Sequence, residues 1–405
     1  MKLKKMTALL LALLLVFALT ACDTKPDASK DSHLDWVSAL GTNMGVLTED
    51  GYYYSGNGVL SYIDIATGKS VVLCQKVGCK HQHGLEDEER CDAELDLNAK
   101  RMLFDNDTLY YADAFNTLWS RNATGGELRN LGMLAKKFAE EGKRVFNVGI
   151  SAKCNGYLYY SGNISEIVEG GSDAFSSDVE TTGYYIGRYN LDQRKEEILV
   201  HQEIVNYGQY IDLIAARETG ILYLYQEGLD PEQNWEDLTK RREAMKTMPV
   251  EIRYLDLTAG KTTTLLAGTY SEYQTIIAVE NGKLFYSGNS LTNRGIRSYD
   301  LATGKDTVFY DGEASSTYYG KGYWLRSKWL DGQGKTAEFH IYDANTGKTF
   351  PCELSGHFWA IARSAHGMVM LYDNHSTISG YFFLSYDSLA DGLQEADLKF
   401  LYANS

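Results

Sequence analysis

The chain has 405 residues, with 39 Lys and Arg against 54 Asp and Glu and a net charge of −15. So acidic a balance excludes the electrostatic footprint of a nucleic-acid binder, or of a protein held to anionic lipid by charge. Only 4 prolines beside 38 glycines and 30 tyrosines suit short strands joined by tight turns, tyrosine being a strand former with an apolar ring and a polar tip.

The first element in chain order is a targeting segment over residues 1–21. Lys2, Lys4 and Lys5 give it a basic start, and Ala8 to Leu19 is an apolar stretch too short to span a bilayer comfortably. It ends Leu19-Thr20-Ala21-Cys22, which resembles the lipobox of bacterial lipoproteins. The resemblance implies cleavage before Cys22, acylation of its sulfur, and anchorage of the mature chain outside the cytoplasm on the bacterial cell membrane. An ordinary secretory peptide with an incidental cysteine is the alternative. Residues 22–34 then form the lipidated cysteine and a flexible polar tether. Removal of the three lysines takes the charge from −15 to −18.

Residues 35–405 read as a single repeat domain. Lys283-Leu-Phe-Tyr-Ser-Gly-Asn289 followed by Ile296-Arg-Ser-Tyr-Asp-Leu-Ala-Thr-Gly-Lys305 is one copy, two strands with the second closed by a turn. Variants stand at Gly51 to Lys69, Leu109 to Trp119, Tyr157 to Leu191, Ile221 to Lys261, Tyr323 to Lys348 and Met368 to Tyr386, which makes seven copies. Gly260, Gly304 and Gly347 recur at roughly 44 residues, the length of a four-stranded propeller blade. In each turn an aspartate (Asp64, Asp256, Asp300, Asp343) can accept backbone N–H bonds, and a glycine supplies the positive φ. The pattern predicts an all-β, seven-bladed β-propeller of four-stranded antiparallel blades, with helical loop insertions on one face. An eight-bladed or two-sheet arrangement needs a further blade, and Trp36 to Leu40 offers one strand only.

The Tyr-Asp-x-x-Thr-Gly-Lys turns resemble those of TolB-like and quinoprotein-like propellers. Together with the lipobox, the tyrosine-rich repeats and a cysteine-histidine insert after the first blade, they make the chain similar to lipid-anchored propeller proteins of clostridial type. The periodic tryptophans of a quinoprotein are missing, so the resemblance does not extend to a quinone cofactor.

Long departures from the repeat fall at 74–100, 132–144, 163–183 and 226–250. All are second-to-third-strand loops or interblade connections, which a blade places on one face, and binding residues concentrate on such loops. Asp230-Pro231 opens a helix running to about Met248 by capping rules, with Trp235 as an anchor, and Ala135 to Glu141 forms a shorter one. Asn57, Asn163 and Asn289 end second strands toward the same face. As a ring they could take sugar hydroxyls, although turn chemistry also accounts for them.

Cys74, Cys79, His81 and Cys91 are the residues with metal-ligand chemistry, His83 lying beside them. Three thiolates and an imidazole make a closed tetrahedral site for a structural zinc, the one cofactor the sequence suggests. A disulfide with a leftover thiol, or plain thiols, are the alternatives in an extracytoplasmic chain.

There is no Gly-x-Ser-x-Gly, His-Glu-x-x-His or Walker loop, and no catalytic residue is assigned. The expected function is therefore a non-enzymatic binding or scaffold module for an envelope protein or ligand. The alternatives are a glycan-binding or glycan-processing accessory enzyme with its site at the central channel, and a ligand sensor for a membrane partner.

Overall fold

Turn chemistry sets where the strands end. Asp64 accepts from the Thr67 N–H at 2.6 Å, Asp300 from the Thr303 N–H at 2.8 Å and Asp343 from the Asn345 N–H at 2.9 Å. Gly68, Gly304 and Gly347 follow at φ +69°, +67° and +72°, values that cost a glycine nothing. Each turn reverses the chain between the third and fourth strands of a blade. The computed structural model describes residues 36–38 and 45–403 apart from 57, 83, 85–88, 96–101, 114, 168–178, 231–232, 234–236, 274, 288–294, 311–314, 330–336, 355–356, 365 and 374–378.

A two-residue strand, β1 (Val37–Ser38), comes first. Blade 1 is β2 (Gly45–Leu47), β3 (Gly51–Gly56), β4 (Val59–Asp64) and β5 (Ser70–Val72), and blade 2 is β6 (Met102–Asp105), β7 (Thr108–Ala112), β8 (Thr117–Asn122) and β9 (Arg129–Met133). Blade 3 is β10 (Arg144–Cys154), β11 (Tyr157–Ile167), β12 (Val179–Asn190) and β13 (Lys195–Glu203), and blade 4 is β14 (Tyr210–Arg217), β15 (Gly220–Gln226), β16 (Pro249–Asp256) and β17 (Lys261–Thr269). Blade 5 is β18 (Thr275–Glu280), β19 (Lys283–Ser287), β20 (Ile296–Asp300) and β21 (Asp306–Tyr310), and blade 6 is β22 (Ser315–Gly320), β23 (Tyr323–Trp329), β24 (Ala337–Asp343) and β25 (Lys348–Pro351). Blade 7 is β26 (His357–Arg363), β27 (Gly367–Asp373), β28 (Ser379–Ser385) and β29 (Lys399–Ala403).

Every blade is an antiparallel sheet of four consecutive strands. The first strand of each contacts the first strands of both neighbours, blade 7 meeting blade 1, so seven inner strands surround a central channel. The seven-bladed, all-β expectation holds. The core consists of the wedges between blades, such as Tyr52, Ile63 and Leu401 between blades 1 and 7, or Tyr159, Ile211 and Ile221 between blades 3 and 4. Among the described residues no helix is long and apolar enough to cross a membrane.

Blades 3 to 7 share a device that the repeat reading does not contain. Each inner strand carries a one-residue bulge, at Ser151, Ile214, Ile277, Tyr319 and Ile361. A bulge adds local twist, and a small residue follows it each time: Ala152, Ala215, Ala278, Gly320 and Ala362. At Gly320 the reason is space. A Cβ on Gly320 would lie 2.0 Å from the Tyr386 hydroxyl.

The structure departs from the sequence reading at three elements. The loop expected at 163–183 is in part a hairpin, since β11 continues to Ile167 and β12 begins at Val179, with Ser165 opposite Thr181. The helix expected from Asp230 is α2 (Leu238–Lys246), because Asp237, not Asp230, accepts from the Thr239 and Lys240 N–H groups at 2.8 and 3.1 Å. The shorter helix, α1 (Lys136–Glu140), lies within its expected span, pinned by buried Phe138 against Tyr185. Finally, the Trp36 stretch does form a strand but joins no blade's outer edge. β1 pairs with the inner edge of β14, Val37 opposite Ala216, and also contacts β10 and β18. It therefore lies inside the ring of inner strands, against blades 3 to 5.

Candidate metal centre

The cysteine-histidine insert leaves blade 1 after β5 and is fastened to the sheet it came from. The Leu60 N–H donates to the Ala93 carbonyl at 2.7 Å, and the Leu95 N–H to that of Gly58 at 2.8 Å. Cys91, Ala93 and Leu95 are buried in the wedge that Tyr53, Leu60 and Leu73 of blade 1 share with Leu109 and Tyr111 of blade 2. Three buried side chains suffice to dock the insert.

The docking converges the predicted ligands. One ligand atom from each of Cys74, Cys79, His81 and Cys91 lies within 4.8 Å of all the others. The Cys91 Sγ and His81 Nδ1 are 3.8 Å apart. Tetrahedral geometry with Zn–S bonds of about 2.3 Å puts neighbouring ligand atoms about 3.8 Å apart. The quartet's widest spacing thus exceeds that of a zinc tetrahedron by about 1 Å. Gly78 and Gly84, both at positive φ, let the chain fold back on either side, and His81 itself is held at φ +53°. The His81 N–H donates to the Cys79 Sγ at 3.4 Å.

Surrounding residues that the spacing did not single out hold the loop closed. The Lys76 ammonium donates to the Arg90 carbonyl at 3.1 Å, and the Arg90 guanidinium to the Glu94 carboxylate at 3.1 Å. Their signal was composition: two cations flanking a cysteine cluster. The thiols differ electrostatically. Burial opposes ionisation of Cys74, but hydrogen bonds from the Lys76 N–H and from Cys79 outweigh it and lower its pKa. Burial pushes Cys91 up to about 12. Among the described residues no disulfide joins Cys74, Cys79, Cys91, Cys154 or Cys352. The four residues are thus a Cys3His group able to hold a metal ion.

Of the remaining predicted site residues, Cys22, Asn57, Trp235 and Asn289 lie outside the described residues, as does His83. Asn163 is on β11. Its amide accepts from Asn147 at 2.9 Å and approaches Thr181 and Ser165 at 3.3 and 3.4 Å, so hydrogen bonds within blade 3 occupy it.

No family model matches the chain, and no curated protein matches it in sequence. Solved structures share its fold. A puromycin-hydrolyzing peptidase of Mycobacterium tuberculosis is similar over 90% of this chain and 56% of its own, at 12% identity and a TM-score of 0.51. An acylaminoacyl peptidase of Pyrococcus horikoshii is similar over 90% and 53%, at 10% identity and 0.51. A puromycin hydrolase is similar over 92% and 56%, at 12% identity and 0.50. The chain spans about half the length of these proteins, and at such identity the likeness is one of fold. It nonetheless corrects the expectation of a non-enzymatic binding or scaffold module. That expectation rested on missing catalytic motifs, yet this fold recurs as about half of enzymes named as peptidases. Missing motifs in a propeller do not set it apart from catalysis.

Proposed function

We propose that Cys74, Cys79, His81 and Cys91 hold a structural zinc ion, and that the propeller it braces is the substrate-handling part of a hydrolytic enzyme system at the outer surface of a bacterial cell membrane. The convergence of four ligand atoms within 4.8 Å carries the zinc reading. Three thiolates and an imidazole leave no coordination position for water, so the ion's work is to fix the insert between blades 1 and 2. Likeness of fold to peptidases supports the enzymatic setting, with an envelope hydrolase as the protein partner. The lipobox-like Leu19-Thr20-Ala21-Cys22 supports a lipid at Cys22 and a lipoprotein of clostridial type, and the acidic chain has no use for nucleic acid.

Purified chain should carry one zinc per molecule, and chelation should release it while making Cys74, Cys79 and Cys91 reactive together. No bound metal, with those thiols freely reactive under reducing, zinc-replete conditions, would overturn the zinc assignment. For the enzymatic setting, solubilised envelopes passed over immobilised chain should leave peptidase activity on the resin, measured with aminoacyl fluorogenic substrates. Activity found only in the flow-through would overturn it.

A further inference from the structure

We propose that the inner edge of β14, facing the central channel, is a strand-addition site for an extended peptide bearing an aromatic side chain, and that the chain's own residues 36–38 occupy it as a stand-in. This deepens the substrate-handling reading above and rests on it for the nature of the natural occupant.

Two observations carry the site. The first is backbone pairing: β14 bonds to β15 on its outer side and to β1 on its channel side. Among the described residues, the inner strands of the other six blades have no added strand. An unpaired strand edge is a template for an extended peptide whatever its sequence, and side-chain pockets beside it then supply selectivity. The second is such a pocket, at the end of β14. Trp36 lies with its ring 4.8 Å from the Arg217 guanidinium and meets the Tyr254 ring edge-on at 6.1 Å. Arg217 is held in place by donating to the Tyr254 hydroxyl at 2.8 Å. Its Nε–H is buried with no acceptor among the described residues. That leaves a cationic, aromatic cradle with a donor still to give, suited to an aromatic side chain and a neighbouring carbonyl or carboxylate oxygen. In the resident segment Trp36 packs against the core between blades 4 and 5, while Val37, at 36% exposure, is among the exposed large hydrophobics.

The test uses full-length protein and a fluorescent peptide of residues 34–40, Leu-Asp-Trp-Val-Ser-Ala-Leu. A Trp36→Ala, Val37→Pro chain, whose own segment can neither fill the cradle nor pair fully, should bind the peptide at least tenfold tighter than the unaltered chain. The same peptide with Ala in place of Trp should bind at least tenfold more weakly. Hydrogen exchange across 210–217 should quicken in the variant and slow again when peptide is added. As a readout independent of the variant, peptide in large excess over the unaltered chain should quicken exchange at 36–38. Equal binding to both chains, no binding to a variant whose 210–217 amides exchange fast, or indifference to the Trp would overturn the proposal. Peptide binding without retained peptidase activity would keep this site and discard the enzymatic setting. Retained activity without channel binding would do the reverse.

Discussion

Blade 1 is fastened to its two neighbours by different means. Toward blade 7 there is no shared sheet, because the first and last blades are each built from consecutive strands. The join is side-chain packing: Tyr52 stacks on Tyr54 at 5.7 Å, Tyr54 on Tyr402 at 4.6 Å and Tyr402 on Tyr381 at 4.2 Å. Toward blade 2 the insert lays buried backbone across the wedge, and the Cys3His group ties its ends together. Both flanks rest on burial, which is strong and non-directional, and the blade 2 flank adds a ligand set that can be removed. The difference separates what keeps the ring closed from what keeps a loop in shape.

The largest expected effect is at the flank held by packing. Tyr52 is fully buried, and Tyr52→Ala should cost about 3–5 kcal/mol, as aromatic truncations in cores do. Calorimetry would show it as a fall in Tm that a chelator neither mimics nor changes. A Tm loss no greater than that of the metal-site variant would collapse the contrast between the flanks. At that site, Cys91→Ser should cost about 1–3 kcal/mol and quicken hydrogen exchange over 74–95 at least tenfold. Chelation should reproduce this local loosening in the unaltered chain and add nothing in the variant.

The smallest effect sharpens the comparison with a third kind of fastening, the rim helix α1 on blade 3. The His201 ring packs tilted against Phe138 at 4.9 Å between centroids, and burial lowers its pKa from the ordinary value. The unfolded chain therefore takes up the proton first as pH falls. The stabilising contribution is present above about pH 6.5 and is lost as pH drops through the folded-state value. Replacing His201 with Phe should flatten the decline of Tm between pH 7.5 and 5.5 by a small but measurable margin. An unchanged slope would mean that the ring is not shielded from water.

What could be read in advance follows the range of the interactions. The Asp-x-x-Thr-Gly turns are local, so Asp64, Asp300 and Asp343 announce strand ends within four residues, and together with the recurring tyrosine-rich strands they let seven blades be counted. The ligand quartet was legible because its members lie within 18 positions, from Cys74 to Cys91. β1 was legible as a strand but not in its place, since Val37 pairs with Ala216 far along the chain and nothing in a two-residue strand encodes its partner. The 163–183 stretch read as a loop because it departs from the repeat. Cross-strand pairing of Ser165 with Thr181 beside the strong β11–β12 ladder extends the hairpin regardless of polarity. The bulges left a trace in Ala152, Ala215, Ala278 and Ala362, a repeat of small residues overshadowed by the glycine turns.

Building every blade from consecutive strands also has a kinetic consequence. Pairing within a blade joins residues close in sequence, so each can form early, whereas the Lys399 ammonium reaches the Ala66 carbonyl across 333 positions. Low separation favours fast pairing, and the distant closure comes last. The same asymmetry runs backward in the folded molecule. Parting blades 7 and 1 would break tyrosine packing and the Lys399–Ala66 bond but not one inter-strand ladder.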